Sequence, residues 1–201
     1  MHQSNKHKNN IRVIAGKWRS RKISFPDLAG LRPTSDRTRE TLFNWIQDFL
    51  PGENCLDLFA GSGALGIEAL SRGAAHVTFI DNTKNAIDSI EENLLSLHAT
   101  QFDLVCADAR SWLQETTEVD VKQYGVVFLD PPFAQDYLLN VCQLLEEKNR
   151  LSDNALVYFE SSSALTIQQL PGSWDIVKSK QAGAVHYALC KRSIKGINGS
   201  H

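Results

Sequence analysis

The chain has 201 residues, 42% of them hydrophobic and 22% charged, which fits an ordinary globular domain with at most a small appendage and excludes disordered and collagen-like classes. No apolar run approaches the roughly 20 residues of a membrane span, and the polar, basic N-terminus has no apolar stretch behind it, so no secretory signal and a cytoplasmic location are expected. The net charge of −2 hides an asymmetry: residues 1–40 hold ten Lys or Arg against three acids (+7), and the remainder holds eleven against twenty (−9).

Along the chain, residues 1–10 read as a disordered basic tail. Ile11 to Phe25 then alternates apolar and basic residues around Gly16-Lys17, as a short hairpin would, with Trp18 among the charges. Basic side chains with an interleaved aromatic on an ordered element suit a phosphate backbone. Thr34 or Ser35 can cap a helix whose first turn holds Asp36, with Leu42, Phe43, Ile46, Phe49 and Leu50 on one face and Pro51-Gly52 as its stop. Strand-like runs then alternate with helical ones: 55–59, 64–71, 76–80, 83–97, 102–107, 110–114, 125–129, 137–147 and 155–159. Five strands separated by helices predict an α/β fold with a doubly wound, mostly parallel sheet. Runs 174–180 and 185–190 add an antiparallel hairpin, and 193–201 reads as a frayed tail.

Cys55, Cys106, Cys142 and Cys190 lie far apart with no C-x-x-C pair, so buried free thiols are expected. The six histidines show no H-x-x-x-H spacing, and no metal is expected.

Ligands of open α/β sheets sit at the carboxyl ends of the strands. The first such end reads D-L-F-A-G-S-G-A-L-G, Asp57 to Gly66, in which Gly61, Gly63 and Gly66 match G-x-G-x-x-G and Asp81 follows Gly61 by 20 residues. A dinucleotide would place its pyrophosphate at the following helix, where Asp57 opposes it. S-adenosylmethionine carries a sulfonium and an ammonium instead, so Asp57 favours it and the glycines let backbone approach it closely. Asp81 can accept from ribose hydroxyls. Asp108 can meet the adenine amine or simply cap a helix.

Asp130-Pro131-Pro132-Phe133 follows the apolar strand Val126 to Leu129. Its two prolines make a rigid turn without donors. The Asp130 carboxylate and Pro131 carbonyl can hold both N–H bonds of an exocyclic amine, aim its lone pair at a methyl donor and stabilise the developing charge. Phe133 can stack on an extruded base. Ring-carbon methylation would need a cysteine nucleophile, and none lies near this turn in sequence.

Asp57 to Gly66, Asp130 to Phe133 and the run R-P-T-S-D-R-T-R-E, Arg32 to Glu40, together resemble the bacterial 16S rRNA guanine-N2 methyltransferases of the RsmD type, from Ile11 to the Gly183 hairpin. The resemblance implies a seven-stranded Rossmann-like methyltransferase fold and methyl transfer to the 2-amino group of one guanine, with the small ribosomal subunit or a late precursor as substrate and a monomeric enzyme. It implies an RNA-binding hairpin and helix over 11–50 and a methyltransferase domain over 51–192. Asp130, Pro131, Pro132 and Phe133 become catalytic. Asp57, Phe59, Ala60, Gly61, Gly63, Asp81 and Asp108 become the S-adenosylmethionine site. Arg12, Lys17, Arg19, Arg21, Lys22, Arg32, Arg37 and Arg39 become RNA ligands. The second strand often ends in Glu in this family, and here it ends in Asp81.

A DNA adenine-N6 methyltransferase explains the same motifs but usually carries a separate recognition domain, for which this chain has little room. A nicotinamide-dependent oxidoreductase leaves Asp57 and Asp130 unexplained, and a noncatalytic RNA-binding module leaves all the strand-end acids unexplained.

Overall fold

The basic arm forms a two-stranded antiparallel ribbon and the rest of the chain a seven-stranded sheet; the computed structural model describes residues 8–26, 34–115, 121–131 and 135–193. In the ribbon, β1 (Lys8–Arg12) pairs with β2 (Lys22–Pro26), placing Ile11 opposite Ile23. Residues 8–10 therefore belong to a strand and not to a disordered tail. Ladder pairing with Ser24 to Pro26 supplies partners that composition does not reveal, including a 2.7 Å bond from the Ser24 hydroxyl to Asn10 Oδ1. The rest of the two expected tails, 1–7 and 194–201, lies outside the described residues.

Helix α1 (Asp36–Ile46) is capped by Ser35, whose hydroxyl accepts from the Thr38 N–H at 3.1 Å, and it buries Leu42, Phe43 and Ile46 as its apolar spacing predicts. There follow β3 (Asn54–Asp57), α2 (Ala64–Ser71), β4 (His76–Asp81), α3 (Lys84–Ser96), β5 (Phe102–Cys106), α4 (Ala109–Glu115), β6 (Tyr124–Leu129), α5 (Gln135–Glu147), β7 (Leu151–Ser161), β8 (Trp174–Ala182) and β9 (Val185–Arg192). The strands lie in the order β5-β4-β3-β6-β7-β9-β8. β3 to β7 are mutually parallel, and β9 runs antiparallel between β7 and β8. This is the expected fold, with the order reversing between β3 and β6, where such a sheet opens a crevice.

Strand β6 is buried along its whole length because helices cover both faces of the sheet. Residues of α1, α2 and α3 pack with Val126, Phe128 and Tyr158 on one face, and residues of α4 and α5 pack with Val127, Leu129 and Phe159 on the other. The β8–β9 connection tightens to Gly183-Ala184, with Gly183 at φ +62° as a two-residue turn requires. Cys55, Cys142 and Cys190 are buried, but Cys106 is exposed because it ends β5, the edge strand. Among the described residues no helix is long and apolar enough to cross a membrane, and no group of three or more His, Cys, Asp or Glu could hold a metal ion.

The connection between β1 and β2 docks on α2. Glu68 is 1% exposed, and its carboxylate accepts from the Ile14 N–H at 2.7 Å, the Ala15 N–H at 3.0 Å and Arg72 Nε at 2.6 Å. Ser71 completes the joint: its carbonyl accepts from the Lys17 N–H at 2.7 Å, and its hydroxyl accepts from the Trp18 N–H and donates to the Ala15 carbonyl. At Gly16, φ is +81° and any Cβ would lie 1.9 Å from the Ser71 carbonyl oxygen, so only glycine fits this close approach. Val13, Trp18 and Ile23 consequently share one apolar cluster with Phe43 and Phe79.

Glu68→Gln would turn one acceptor oxygen into an NH2 that confronts backbone donors and would remove the charge facing buried Arg39. We expect a loss of about 3 kcal/mol in urea unfolding and faster tryptic cleavage after Lys17, Arg19 or Arg21. Unchanged cleavage would show that Glu68 does not hold the arm.

Candidate functional site

Asp57 ends β3 and Asp81 ends β4, Asp130 follows the last residue of β6, and Glu160 lies near the end of β7. Side chains alternate across a sheet. Cys55, Phe79, Phe128 and Tyr158 all face the α1–α3 side, so the acids two residues beyond them share that side. Four neighbouring strands thus present four carboxyl groups in a row at the carboxyl edge, spanning the reversal between β3 and β6.

Asp57 is buried, and its Oδ2 accepts from the Gly66 N–H, in the first turn of α2, at 3.0 Å. The helix N-terminus that would hold a pyrophosphate is therefore already occupied by a carboxyl group. Burial pushes this carboxyl up to about 7, opposed by the Gly66 N–H and reinforced by Asp81. Asp81 uses both oxygens to fix the loop: Oδ2 accepts from the Gly61 N–H at 2.9 Å and Oδ1 from the Thr83 N–H at 2.8 Å. Each oxygen keeps acceptor capacity. Gly61 and Gly63 both have positive φ, +49° and +75°. At Gly66 a Cβ would lie 2.1 Å from the Phe79 ring, so the third glycine serves helix-to-strand packing.

Asp108 caps α4, with Oδ1 accepting from the Ser111 N–H at 3.0 Å; Oδ2 accepts from the Tyr137 hydroxyl at 3.0 Å. The Ser111 N–H, with Tyr137 and Arg110, holds this carboxyl below its ordinary range. Phe59 meets the Tyr137 ring edge-on at 5.9 Å, and the Arg110 guanidinium lies 4.5 Å from that ring on its other contact. Phe59, Tyr137 and Arg110 thereby line the edge beside Asp108. Ala60 is buried, its N–H donating to the Ile80 carbonyl at 2.9 Å.

The Thr34 hydroxyl donates to Asp130 Oδ2 at 3.3 Å. Asp130 is raised well above the usual carboxylate range, chiefly by burial and then by the charges of Glu160 and Asp57. Glu160 Oε1 accepts from the Tyr158 hydroxyl at 2.8 Å. Pro131 is described and half-buried, whereas Pro132 and Phe133 lie outside the described residues, as does Arg32.

The proposed RNA ligands divide. Arg12, Lys17, Arg19, Arg21, Lys22 and Arg37 are exposed. Arg39 is not: it is 0% exposed, and its guanidinium donates to the Arg12 carbonyl at 2.9 Å and Asp36 Oδ1 at 2.7 Å, with Glu68 Oε2 at 4.0 Å. The same anchoring that orders the arm removes Arg39 from any phosphate. Trp18 is likewise buried, with Lys17 Nζ 5.6 Å from its ring, and packs in the core instead of offering a stacking face. Thr34, Tyr137 and Glu160 enter the site without having been singled out for it. Glu160 had a readable signal, an acid directly after the run 155–159.

Residues 11–191 match the family described as Conserved hypothetical protein 95. The chain is 42% identical to Ribosomal RNA small subunit methyltransferase D of Escherichia coli strain K12 over 186 residues, 92% of each protein, and 40% identical to the protein of the same name from Haemophilus influenzae over 90% of this chain and 94% of that one. The solved structure of Escherichia coli yhhF has a TM-score of 0.83 at 42% identity, covering 92% of this chain and 99% of that chain. A buried Asp57 and a half-buried Asp130 astride the sheet reversal, an arm clamped to α2 and likeness along nearly the whole length agree: the chain belongs to the Conserved hypothetical protein 95 family, with the small-subunit ribosomal RNA methyltransferases D.

Proposed function

We propose that this protein transfers a methyl group from S-adenosylmethionine to the 2-amino group of one guanine of 16S rRNA in the small ribosomal subunit. The observation that carries the reading is the placement of Asp130, followed by Pro131 with no N–H to donate, beside Asp57 at the sheet reversal. The names of the full-length relatives support a small-subunit rRNA substrate and disfavour the DNA adenine alternative.

Asp57, Phe59, Ala60, Gly61, Gly63 and Asp81 fit S-adenosylmethionine: an anionic floor opposes phosphate and attracts its two cations, while Asp81 retains lone pairs for ribose hydroxyls. When bound, this cofactor supplies an electrophilic methyl on its sulfonium. The protein's own part is positional and electrostatic. Asp130 and the Pro131 carbonyl accept the two N–H bonds of the amine, and ionised Asp130 stabilises the charge that grows on nitrogen. Asp108 acts chiefly through α4 and Tyr137. The arm and α1, residues 11–50, form the RNA-binding part, and residues 51–192 the catalytic part. The exposed cations Arg12, Lys17, Arg19, Arg21, Lys22 and Arg37, joined by Arg32, hold phosphates.

Three outcomes follow. Asp57 is neutral below about pH 7 and ionised above it, and only the ionised form attracts the cofactor's cations. Cofactor affinity should therefore rise from about pH 6 to pH 8, with proton release near neutrality visible in calorimetry as a buffer-dependent enthalpy. A flat affinity with no proton release would contradict this role.

Asp130→Ala should fold, keep its cofactor affinity and lose at least about 100-fold in methyl transfer to stripped small subunits. Near-parental turnover would remove Asp130 from the chemistry.

Reversing Arg19 and Arg21 to Glu should weaken subunit binding and flatten its logarithmic salt slope by about two, with cofactor affinity unchanged. Parental binding at low and moderate salt would show that the arm does not hold RNA.

A further inference from the structure

Asp130 does not stand alone. Leu129 of β6 pairs with Phe159 of β7, so the next residue on each strand, Asp130 and Glu160, occupies neighbouring positions on the same face. Thr34 serves both: its hydroxyl donates to Asp130 Oδ2 at 3.3 Å, and the same hydroxyl is close enough to Glu160 to favour that group's ionised form. On its other side Glu160 is held by the Tyr158 hydroxyl at 2.8 Å.

Methylation of an amine leaves a surplus proton on nitrogen. We infer that Thr34 and Glu160 form the exit for that proton, which passes from the methylated amine to Asp130, through the Thr34 hydroxyl to Glu160, and on to solvent. This inference rests on the methyltransferase reading given above. In the step itself, the nitrogen lone pair forms the new N–C bond while the C–S bond breaks and its electron pair returns to sulfur. The cationic nitrogen then gives its proton to Asp130. Thr34 accepts that proton on oxygen as its own hydroxyl proton moves to Glu160, so one proton is transferred in net and Thr34 is regenerated. Both residues act through Asp130 and are positioning residues.

The surroundings suit this direction of transfer. The groups that act on Asp130 are Glu160 from β7 and Asp57 from β3, both anionic when ionised, with Thr34 ahead of α1 as donor. Those that act on Glu160 are Tyr158 on its own strand, Thr34 and Asp130. Tyr187 of β9 faces this end through the Tyr158 ring, at 6.3 Å. The Tyr158 hydroxyl, and the Thr34 hydroxyl when its single proton turns from Asp130, favour the ionised form of Glu160, and burial raises both carboxyls. Glu160 can therefore take a proton from Asp130 and release it. It is half-buried, next to last in β7 at the carboxyl ends of the parallel strands.

The test compares the full-length parent with Glu160→Gln, Thr34→Val and Thr34→Ser. Carboxyl titration by 13C NMR, without cofactor or RNA, should show Asp130 titrating at lower pH in Glu160→Gln, because the neighbouring charge is gone. Methyl transfer to stripped small subunits across pH should show Thr34→Val and Glu160→Gln losing at least about tenfold in kcat, with KM values and cofactor affinity near parental. Thr34→Ser, which keeps the hydroxyl, should restore the parental rate and pH profile. Parental kcat in both defective variants, or failure of Thr34→Ser to rescue, would overturn the relay while leaving the substrate reading intact. An unmoved Asp130 titration in Glu160→Gln would overturn the pairing of the two carboxyls. Absence of any transfer by the parent would instead defeat the substrate reading, and the relay with it.

Discussion

The buried carboxylate of Glu68 joins two parts of the molecule that would otherwise be independent. A carboxylate with almost no solvent contact is costly unless its lone pairs are filled, and here two backbone N–H groups of the arm and the Arg72 side chain fill them. The arm in turn owes its path to that demand. Its backbone turns at Gly16 against the Ser71 carbonyl, and Trp18 and Ile23 follow into the core. All eight residues of α2 are buried, so the helix cannot shift without disturbing both faces it serves. Its first turn takes the Asp57 carboxyl and its last turns grip the arm. A basic surface and an acidic crevice are thereby attached to one rigid element, which fixes the orientation of the basic arm relative to the strand ends.

The row of acids explains what kind of ligand this crevice accepts. Four carboxyl groups on adjacent strands repel one another, and burial raises Asp57, Asp130 and Glu160 above the ordinary carboxylate range. Such groups gain from cations and lose from phosphate. The glycine-rich turn could serve many nucleotide ligands, but the charge beneath it narrows them. In the proposed methyl transfer the same low-dielectric setting would give Asp130 its leverage, since charge developing on a bound amine is screened far less there than in water. The basic arm offsets the acidic body, so the proposed attraction for RNA and the attraction for a cationic cofactor would occupy different surfaces.

Much of this was legible in residue order because local signals agreed with the fold. The helix at 64–71 has the bounds that its apolar run and flanking glycines predict, and β4, β5 and β6 fall within a residue of their alternating or continuous apolar runs. Strand-end acids were legible because strand ends and ligand crevices coincide in α/β sheets. What escaped depended on tertiary partners. Arg39 and Arg37 are equivalent as charges, yet one faces Glu68 and the Arg12 carbonyl while the other faces solvent. Trp18, an aromatic among basic residues, could pack on the hairpin or stack on a base, and it is a core residue. Cys106 looked buried and is exposed, since nothing in a strand's own sequence says that it lies at the edge of the sheet. Thr34 and Ser35 offered equal capping chemistry; Ser35 caps the helix, which leaves the Thr34 hydroxyl for Asp130.

The central claim is that the acidic crevice methylates a guanine amine in small-subunit RNA. It is tested most directly by incubating the protein and labelled S-adenosylmethionine with stripped small subunits, digesting the RNA to nucleosides and identifying the methylated species by mass. The account predicts label in N2-methylguanosine alone, at one nucleotide of 16S rRNA. Label confined to N6-methyladenosine or to a ring-carbon methyl would contradict it.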